Sequence, residues 1–327
     1  MFPIVEVGMT VLETEALTRR YGSHLVLDGL NLEVPAGRVH ALLGPNGSGK
    51  TTTVRMLATL LQPTSGSARI LGHDTVREAA HVKRNIGFVG QYHAVDPRLA
   101  GTQNLTMVAR LNGYSARGAR RHADDLLERF DLTDAAARQV HTYSGGMRRR
   151  LDIVAGMVVR PAVLFLDEPT TGLDPRSRNE IYRYVRSFVE EGTTVVLTTQ
   201  YLDEAERLAD TVTILDAGRV VATGTPDAIA RTMGSGLDVV VLDPHRRGDV
   251  AAIVERFGGR PVDAPARDEN APLRLTFGFD GEPAALLPIL RALDAEGIAV
   301  QDIGRRRATL DDAFLALTGR PTEGIPA

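Results

Sequence analysis

The chain has 327 residues, enough for about two domains at the usual ~100–200 residues each. Hydrophobic residues make up 43% and charged residues 24%, the balance of a packed core with a solvated surface, which excludes a disordered or fibrous chain. There is no cysteine, so a disulfide framework and a thiolate metal site are excluded, and a formal charge of −3 argues against a general nucleic-acid binder. No run approaches the ~18 apolar residues of a membrane-spanning helix. The first ten residues carry Glu6 and no basic stretch ahead of a hydrophobic one, so they do not read as a signal peptide. Among 38 basic residues only Lys50 and Lys83 are lysines.

Strand and helix signals alternate to about residue 233. Val39 to Leu43 is a short apolar run ending in a glycine-rich loop, and Lys50 to Leu61 has helical spacing through Val54, Leu57, Ala58 and Leu61. Ile86 to Val89 reads as a strand. Thr102 to Gln139 is helical in pattern with no strand candidate, which predicts an α-helical insertion. Val163 to Leu166 and Thr194 to Leu197 are of buried-strand type, separated by a helix starting after Pro175. Val212 to Leu215 and Arg219 to Ala222 flank the hairpin-like turn Asp216-Ala217-Gly218. This succession predicts a largely parallel sheet with helices around it. Gly234-Ser235-Gly236 is the linker candidate. Beyond it, strands at Leu237 to Leu242, Leu273 to Phe279 and Ile298 to Ile303 alternate with helices at Val250 to Phe257 and Pro283 to Ala295. A short helix at Thr309 to Leu317 closes a small, mildly acidic α+β domain, followed by a polar tail.

Gly44-Pro45-Asn46-Gly47-Ser48-Gly49-Lys50-Thr51 fits G-x-x-x-x-G-K-[ST] between a strand and a helix. Its glycines let successive N–H groups face phosphate oxygens, and the helix adds its positive N-terminal dipole. Lys50 is expected to bridge the β- and γ-phosphates, Thr51 to offer its hydroxyl to Mg²⁺, and Thr52 to complete the phosphate-binding run. Asp167, at the end of Val163 to Leu166, is the second expected magnesium anchor. Glu168 then stands where a base would polarise water for in-line attack. Pro169-Thr170-Thr171-Gly172-Leu173-Asp174 follows, which makes a plain turn a poorer explanation of the two acids. Tyr143-Ser144-Gly145-Gly146-Met147 leads into another helix, a second anion-binding start about twenty residues before Asp167.

Together these motifs resemble the nucleotide-binding subunits of ATP-binding-cassette (ABC) transporters over about residues 10–233. The resemblance implies an α/β P-loop NTPase cassette of ABC type at 10–233, with an α-helical subdomain at about 102–160. A small C-terminal α+β accessory domain at 236–319 and a tail at 320–327 complete the expected layout. It implies ATP and Mg²⁺ as ligands. Tyr21 matches the aromatic residue stacked on adenine, and Gln91 the glutamine that contacts Mg²⁺ or the attacking water. Ser144, Gly145 and Gly146 match the signature that closes over ATP held by the opposite subunit, and Asp174 the residue at the dimer seam. The implied assembly is two ATPase subunits, identical in a homodimer, on a separate integral-membrane permease. The expected location is peripheral, at the cytoplasmic face of the membrane.

Two positions depart from the family. Gln200 stands where a histidine is usual; it can donate to the γ-phosphate but carries no proton or charge, which predicts slower turnover. Met147 replaces a commoner glutamine. Thr199-Gln200-Tyr201-Leu202-Asp203-Glu204-Ala205, Gly90-Gln91-Tyr92 with Val95-Asp96, and Thr309 to Gly319 resemble the daunorubicin/doxorubicin-resistance type of drug-efflux ATPase over nearly the whole chain. In that type the C-terminal segment supports ATPase–permease assembly, which implies a docking or dimer-stabilising role here, the alternative being a domain that only buries its own core. Arg148 to Arg150 and Arg305 to Arg307 read as solvated faces, and the scattered histidines show no metal-ligand spacing. Among rival functions, a soluble ABC protein on ribosomes or DNA lacks the second cassette or heptads it would need. An importer would keep the histidine at 200, and a non-hydrolysing nucleotide switch is at odds with Glu168.

Overall fold

The computed structural model describes residues 9–232, 235–262, 273–279, 286–307 and 309–319. The chain forms two compact units that divide between Pro226 and Asp227. Gly234 of the linker candidate, Pro283 at the start of a predicted helix, and the tail 320–327 lie outside the described residues.

The first unit opens with β1 (Thr10–Tyr21) and β2 (His24–Pro35), an antiparallel hairpin closed by the two-residue turn Gly22-Ser23. Next come β3 (Val39–Leu43), buried at every residue, and α1 (Lys50–Leu57). The helix is shorter than its spacing predicts. Thr59 takes a left-handed φ of 61°, and the N–H groups of Leu60 and Leu61 turn back to Arg55 O. After it, β4 (Ser65–Ile70) and β5 (His73–Asp74) join the hairpin in a four-stranded antiparallel sheet of order β2-β1-β4-β5.

Then follow α2 (Ala79–Asn85), β6 (Ile86–Val89), α3 (Gly101–Leu111), α4 (Ala116–Arg129) and α5 (Gly145–Gly156). Helices α3 and α4 occupy the predicted insertion, and Ser115 caps α4 by accepting from Gly118 N. The rest of the unit is β7 (Val163–Asp167), α6 (Pro175–Glu190), β8 (Thr194–Thr199), α7 (Leu202–Leu208), β9 (Thr211–Asp216) and β10 (Arg219–Gly224), and α8 (Pro226–Arg231) starts at the division and belongs from Asp227 on to the second unit. Helix α6 starts at Pro175 itself, since proline fits the first helical position and Asp174 caps it.

The second sheet has order β10-β9-β3-β8-β7-β6, parallel except for the antiparallel edge strand β10. Strands β3, β7 and β8 are buried along their whole length, which explains their unbroken apolar and β-branched character. Their C-terminal ends release Gly44, Glu168 and Gln200 into neighbouring loops, the usual place for ligands on an open α/β sheet.

In the second unit β11 (Ser235–Val241), α9 (Arg247–Arg256), β12 (Arg260–Val262), β13 (Leu273–Gly278), α10 (Leu286–Ala295) and β14 (Val300–Arg307) follow in βαββαβ order. Helix α11 (Leu310–Thr318) comes last, with Thr309 and Asp312 forming a capping box. The sheet runs β12-β13-β11-β14, all antiparallel, the ferredoxin-like split βαβ arrangement. Leu237, Val239, Leu275 and Phe277 from the strands pack with Val250, Val254, Ile289 and Leu293 from α9 and α10.

Candidate active site

The glycine-rich loop joins β3 to α1, with glycine required at particular positions. A Cβ on Gly44 would lie 2.2 Å from Leu215 O, and Gly49 precedes the helix with φ 104°. The Gly44 N–H donates to Thr199 O at 3.3 Å, which ties the loop to the end of β8. Lys50 is buried, and its Nζ donates to Gly44 O at 2.7 Å and Pro45 O at 3.0 Å. Burial holds the ammonium pKa below its ordinary value, while Glu168 and Asp167 pull it the other way. Ser48 Oγ is buried without a hydrogen-bond partner. Asn46 and Gly47 are exposed, and Pro45, Thr51 and Thr52 are half-buried.

Thr51 Oγ1 donates to Asp167 Oδ1 at 2.9 Å, and Thr198 Oγ1 donates to the same oxygen at 2.7 Å. The other oxygen, Oδ2, is buried and has no hydrogen-bond partner. A buried carboxylate oxygen left bare beside a hydroxyl fits a hard cation, which takes oxygen ligands of this kind.

Glu168 is half-buried, with φ 47° in the left-handed region that a non-glycine residue occupies only at a cost of about 1–3 kcal/mol. Its N–H donates to Thr198 Oγ1 at 3.0 Å and Thr198 O at 3.2 Å, its carbonyl accepts from Arg149 Nη2 at 3.2 Å, and its carboxylate accepts from Thr171 Oγ1 at 3.3 Å. The strained turn is therefore held from both sides of the peptide.

The other predicted residues fall in separate places. Gln91 follows β6 and is exposed, and Gln200 follows β8 and is half-buried. Tyr21 is exposed at the hairpin, with the Arg19 guanidinium 4.4 Å from its ring centroid on one face. Ser144 caps α5, accepting from Met147 N at 3.2 Å, and Gly146 lies against the Ser177 hydroxyl. Asp174 caps α6 by accepting from Ser177 N at 3.0 Å and Ser177 Oγ at 2.8 Å, bonds that hold its carboxyl below the usual range. The hydrogen bonds of Ser144 and Asp174 thus run to the starts of their own helices. They are not directed to the phosphate loop.

Sequence reasoning missed several neighbours. Arg149 is 5% exposed, so the solvated reading of Arg148 to Arg150 fails there. Its guanidinium donates only to backbone carbonyls, those of Gly90, Asp167, Glu168 and Pro169. Arg148 donates to Tyr143 O, and Arg150 pairs with Glu180 at 3.4 Å. Thr198, a strand residue with no motif to mark it, supports both acids. Glu204 is completely buried and accepts from Thr170 Oγ1 at 2.8 Å.

Residues 27–171 match the family model described as ABC transporter. A daunorubicin resistance ATP-binding protein from Streptomyces coeruleorubidus is 50% identical over 95% of this chain and 96% of its own length. A Nod factor export ATP-binding protein from Ralstonia nicotianae is 38% identical over 96% of each. A solved structure of an ATP-binding subunit of an ABC transporter superposes with a TM-score of 0.62 at 30% identity, covering 68% of this chain and 93% of that one. The chain belongs to the ATP-binding subunits of the ABC transporters, and its activity is that of an ATPase.

Proposed function

We propose that this chain is the ATP-hydrolysing motor of an exporter that moves a drug or another hydrophobic compound through a separate membrane permease. The observation that carries this reading is the Thr51–Asp167 hydrogen bond between the start of α1 and the end of β7, with Glu168 next in the chain. The cargo class is supported by relatives whose names refer to daunorubicin resistance and Nod factor export, which also differ from one another in cargo. Among the described residues no helix is long and apolar enough to cross a membrane, in keeping with a pore made by another polypeptide. In this reading the chain sits peripherally at the cytoplasmic face of the membrane.

In this mechanism the loop from Gly44 to Thr52 wraps the phosphates of ATP with backbone N–H groups. Lys50, released from the Gly44 and Pro45 carbonyls, neutralises the β- and γ-phosphate oxygens. Thr51 and Asp167 would hold Mg²⁺, with Gln91 as a further contact. The cation supplies charge neutralisation along the phosphate chain. Glu168 takes the proton of the attacking water, and Gln200 donates to the γ-phosphate. Tyr21 offers its uncovered face to the adenine.

The exposed starts of α5 and α6 suit a second copy. Ser144, Gly145 and Gly146 would close on nucleotide bound by the partner chain, with Asp174 at the seam. The cassette at 10–233, with its helical subdomain at about 102–160, would then perform the chemistry. The domain at 236–319 would support assembly with the permease, which docks near Gln91, Tyr92 and His93. The test is co-expression with candidate permeases, followed by ATP-driven daunorubicin uptake into inside-out vesicles. Uptake with the wild type and none with Lys50→Ala is the expected result; equal uptake by both would overturn the reading. Retention of the permease by a chain ending at Gly234 would remove the assembly role.

A further inference from the structure

Arg149 and Asp152 are three residues apart on α5, and so share one face of the helix. The Arg149 guanidinium donates from Nη1 to Gly90 O at 2.6 Å, from Nε to Pro169 O at 2.8 Å, and from Nη2 to Asp167 O at 3.0 Å and Glu168 O at 3.2 Å. These carbonyls belong to two segments, the end of β6 and the end of β7. Asp152, with a side chain 1% exposed, accepts at Oδ1 from Ala94 N at 2.9 Å and Val95 N at 3.2 Å, while its Oδ2 bonds His93 Nδ1. One helical face therefore grips both flanks of Gln91-Tyr92 and the peptide units around Glu168. Between these grips Gln91 and Tyr92 stay exposed, Tyr92 at 86%.

Burying a guanidinium is costly before compensation, and apolar side chains would fill the same space at less cost. What an apolar residue cannot do is hold four carbonyls at fixed angles, two of them flanking a residue in a strained conformation. The planar fork of arginine does this, and the point charge of lysine does not. The same helix begins at Ser144, Gly145 and Gly146, so whatever the signature touches is one rigid element away from Glu168 and from the Gln91 loop.

We propose that Arg149 and Asp152 are positioning residues that make α5 a coupler: displacement of its first turn on meeting nucleotide held by a second copy is passed to Glu168 and to the Gln91 loop. The proposal rests on the paired-ATPase reading above. It assigns Arg149 to the geometry of hydrolysis rather than to nucleotide affinity, since its guanidinium faces backbone and not the phosphate loop.

The test is a double-mutant cycle on the full chain, with Arg149→Lys, Ser144→Ala and the double variant. Phosphate release would give kcat and KM, a fluorescent ATP analogue would give affinity, and near-UV circular dichroism would report folding. Arg149→Lys is expected to lower kcat roughly 100-fold, the scale for misplaced reacting groups, with KM and analogue affinity within about threefold of wild type. Adding Ser144→Ala to Arg149→Lys should cost much less than Ser144→Ala costs alone, because the signature then acts through a broken link. Losses that multiply, or turnover by Arg149→Lys within about twofold of wild type, would overturn the proposal. If Arg149→Lys does not fold, Asp152→Asn takes its place in the same cycle and is judged by the same criterion. A wild-type chain that binds the analogue but loses nothing on Ser144→Ala would overturn the paired-site reading, and the coupler with it.

Discussion

Thr51 and Asp167, 116 residues apart in the chain, meet at 2.9 Å with the threonine hydroxyl donating to the carboxylate. The contact pins the first turn of α1 to the end of β7 and leaves Asp167 Oδ2 bare and buried. If this pair is the cation anchor, Thr51→Val should shift the magnesium concentration for half-maximal phosphate release upward by roughly 10–100-fold, as loss of a ligand or its supporting bond does. A magnesium titration of the variant checks this. An unchanged midpoint would remove Thr51 from the anchor.

Glu204 gives a pH prediction. Burial pushes its carboxyl up to about 7, more than the hydrogen bonds from Thr199 and Thr170 pull it down. The folded chain then holds this proton more tightly than the unfolded chain does. The stabilising contribution is complete below the ordinary carboxylate value and is lost as pH rises through about 7. Glu204→Gln keeps an acceptor for Thr170 and removes the titration. Thermal unfolding of both proteins between about pH 5 and about pH 8 should show the variant gaining on wild type as pH rises. A constant difference across that range would contradict the assignment.

Gln200 sits where the β8 strand ends, half-buried between Thr199 and the α7 helix. In the proposed role of a neutral γ-phosphate donor, its loss in Gln200→Ala should slow turnover by roughly 10-fold, the range for one hydrogen bond to a charged group. Gln200→His should speed turnover above wild type, because imidazole adds protonic character at the same place. Steady-state phosphate release decides. Turnover by Gln200→Ala at the wild-type rate would make the γ-phosphate role untenable.

Tyr21 has one ring face covered by Arg19, at 4.4 Å, which stiffens the ring and leaves the other face for a base. Tyr21→Ala should raise the KM for ATP by about 2- to 10-fold with little change in kcat, from a stacking contribution of about 0.5–1.5 kcal/mol. An equal fall in kcat would point to a structural role at the hairpin instead.

Much of the cassette was legible because its signals are contiguous. The phosphate loop, the Asp167-Glu168 pair and the Asp216-Ala217-Gly218 turn each carry their chemistry within a few residues. The β1–β2 hairpin was not legible. Its inward residues Leu12, Thr14 and Leu17 break the two-residue period between Thr14 and Leu17, where the register shifts and Ala16 takes φ 45°. Arg149 was hidden differently. It is one of three consecutive arginines in a chain with 38 basic residues and two lysines, and the carbonyls that bury it lie about twenty and sixty residues away. Thr198 looked like any β-branched strand residue until Asp167 was placed beside it. The strands of the second unit were mostly evident, but short β12 was not, and without it the βαββαβ order could not be read.

Glu168, held in its left-handed turn by Thr198 and Arg149, is the proposed base for ATP hydrolysis. The most direct measurement is steady-state phosphate release by Glu168→Gln, paired with equilibrium binding of ATP to the same protein. The expected result is a loss of roughly 100-fold or more in release, the contribution of a positioned base, with ATP binding preserved. Release by Glu168→Gln at the wild-type rate would contradict it.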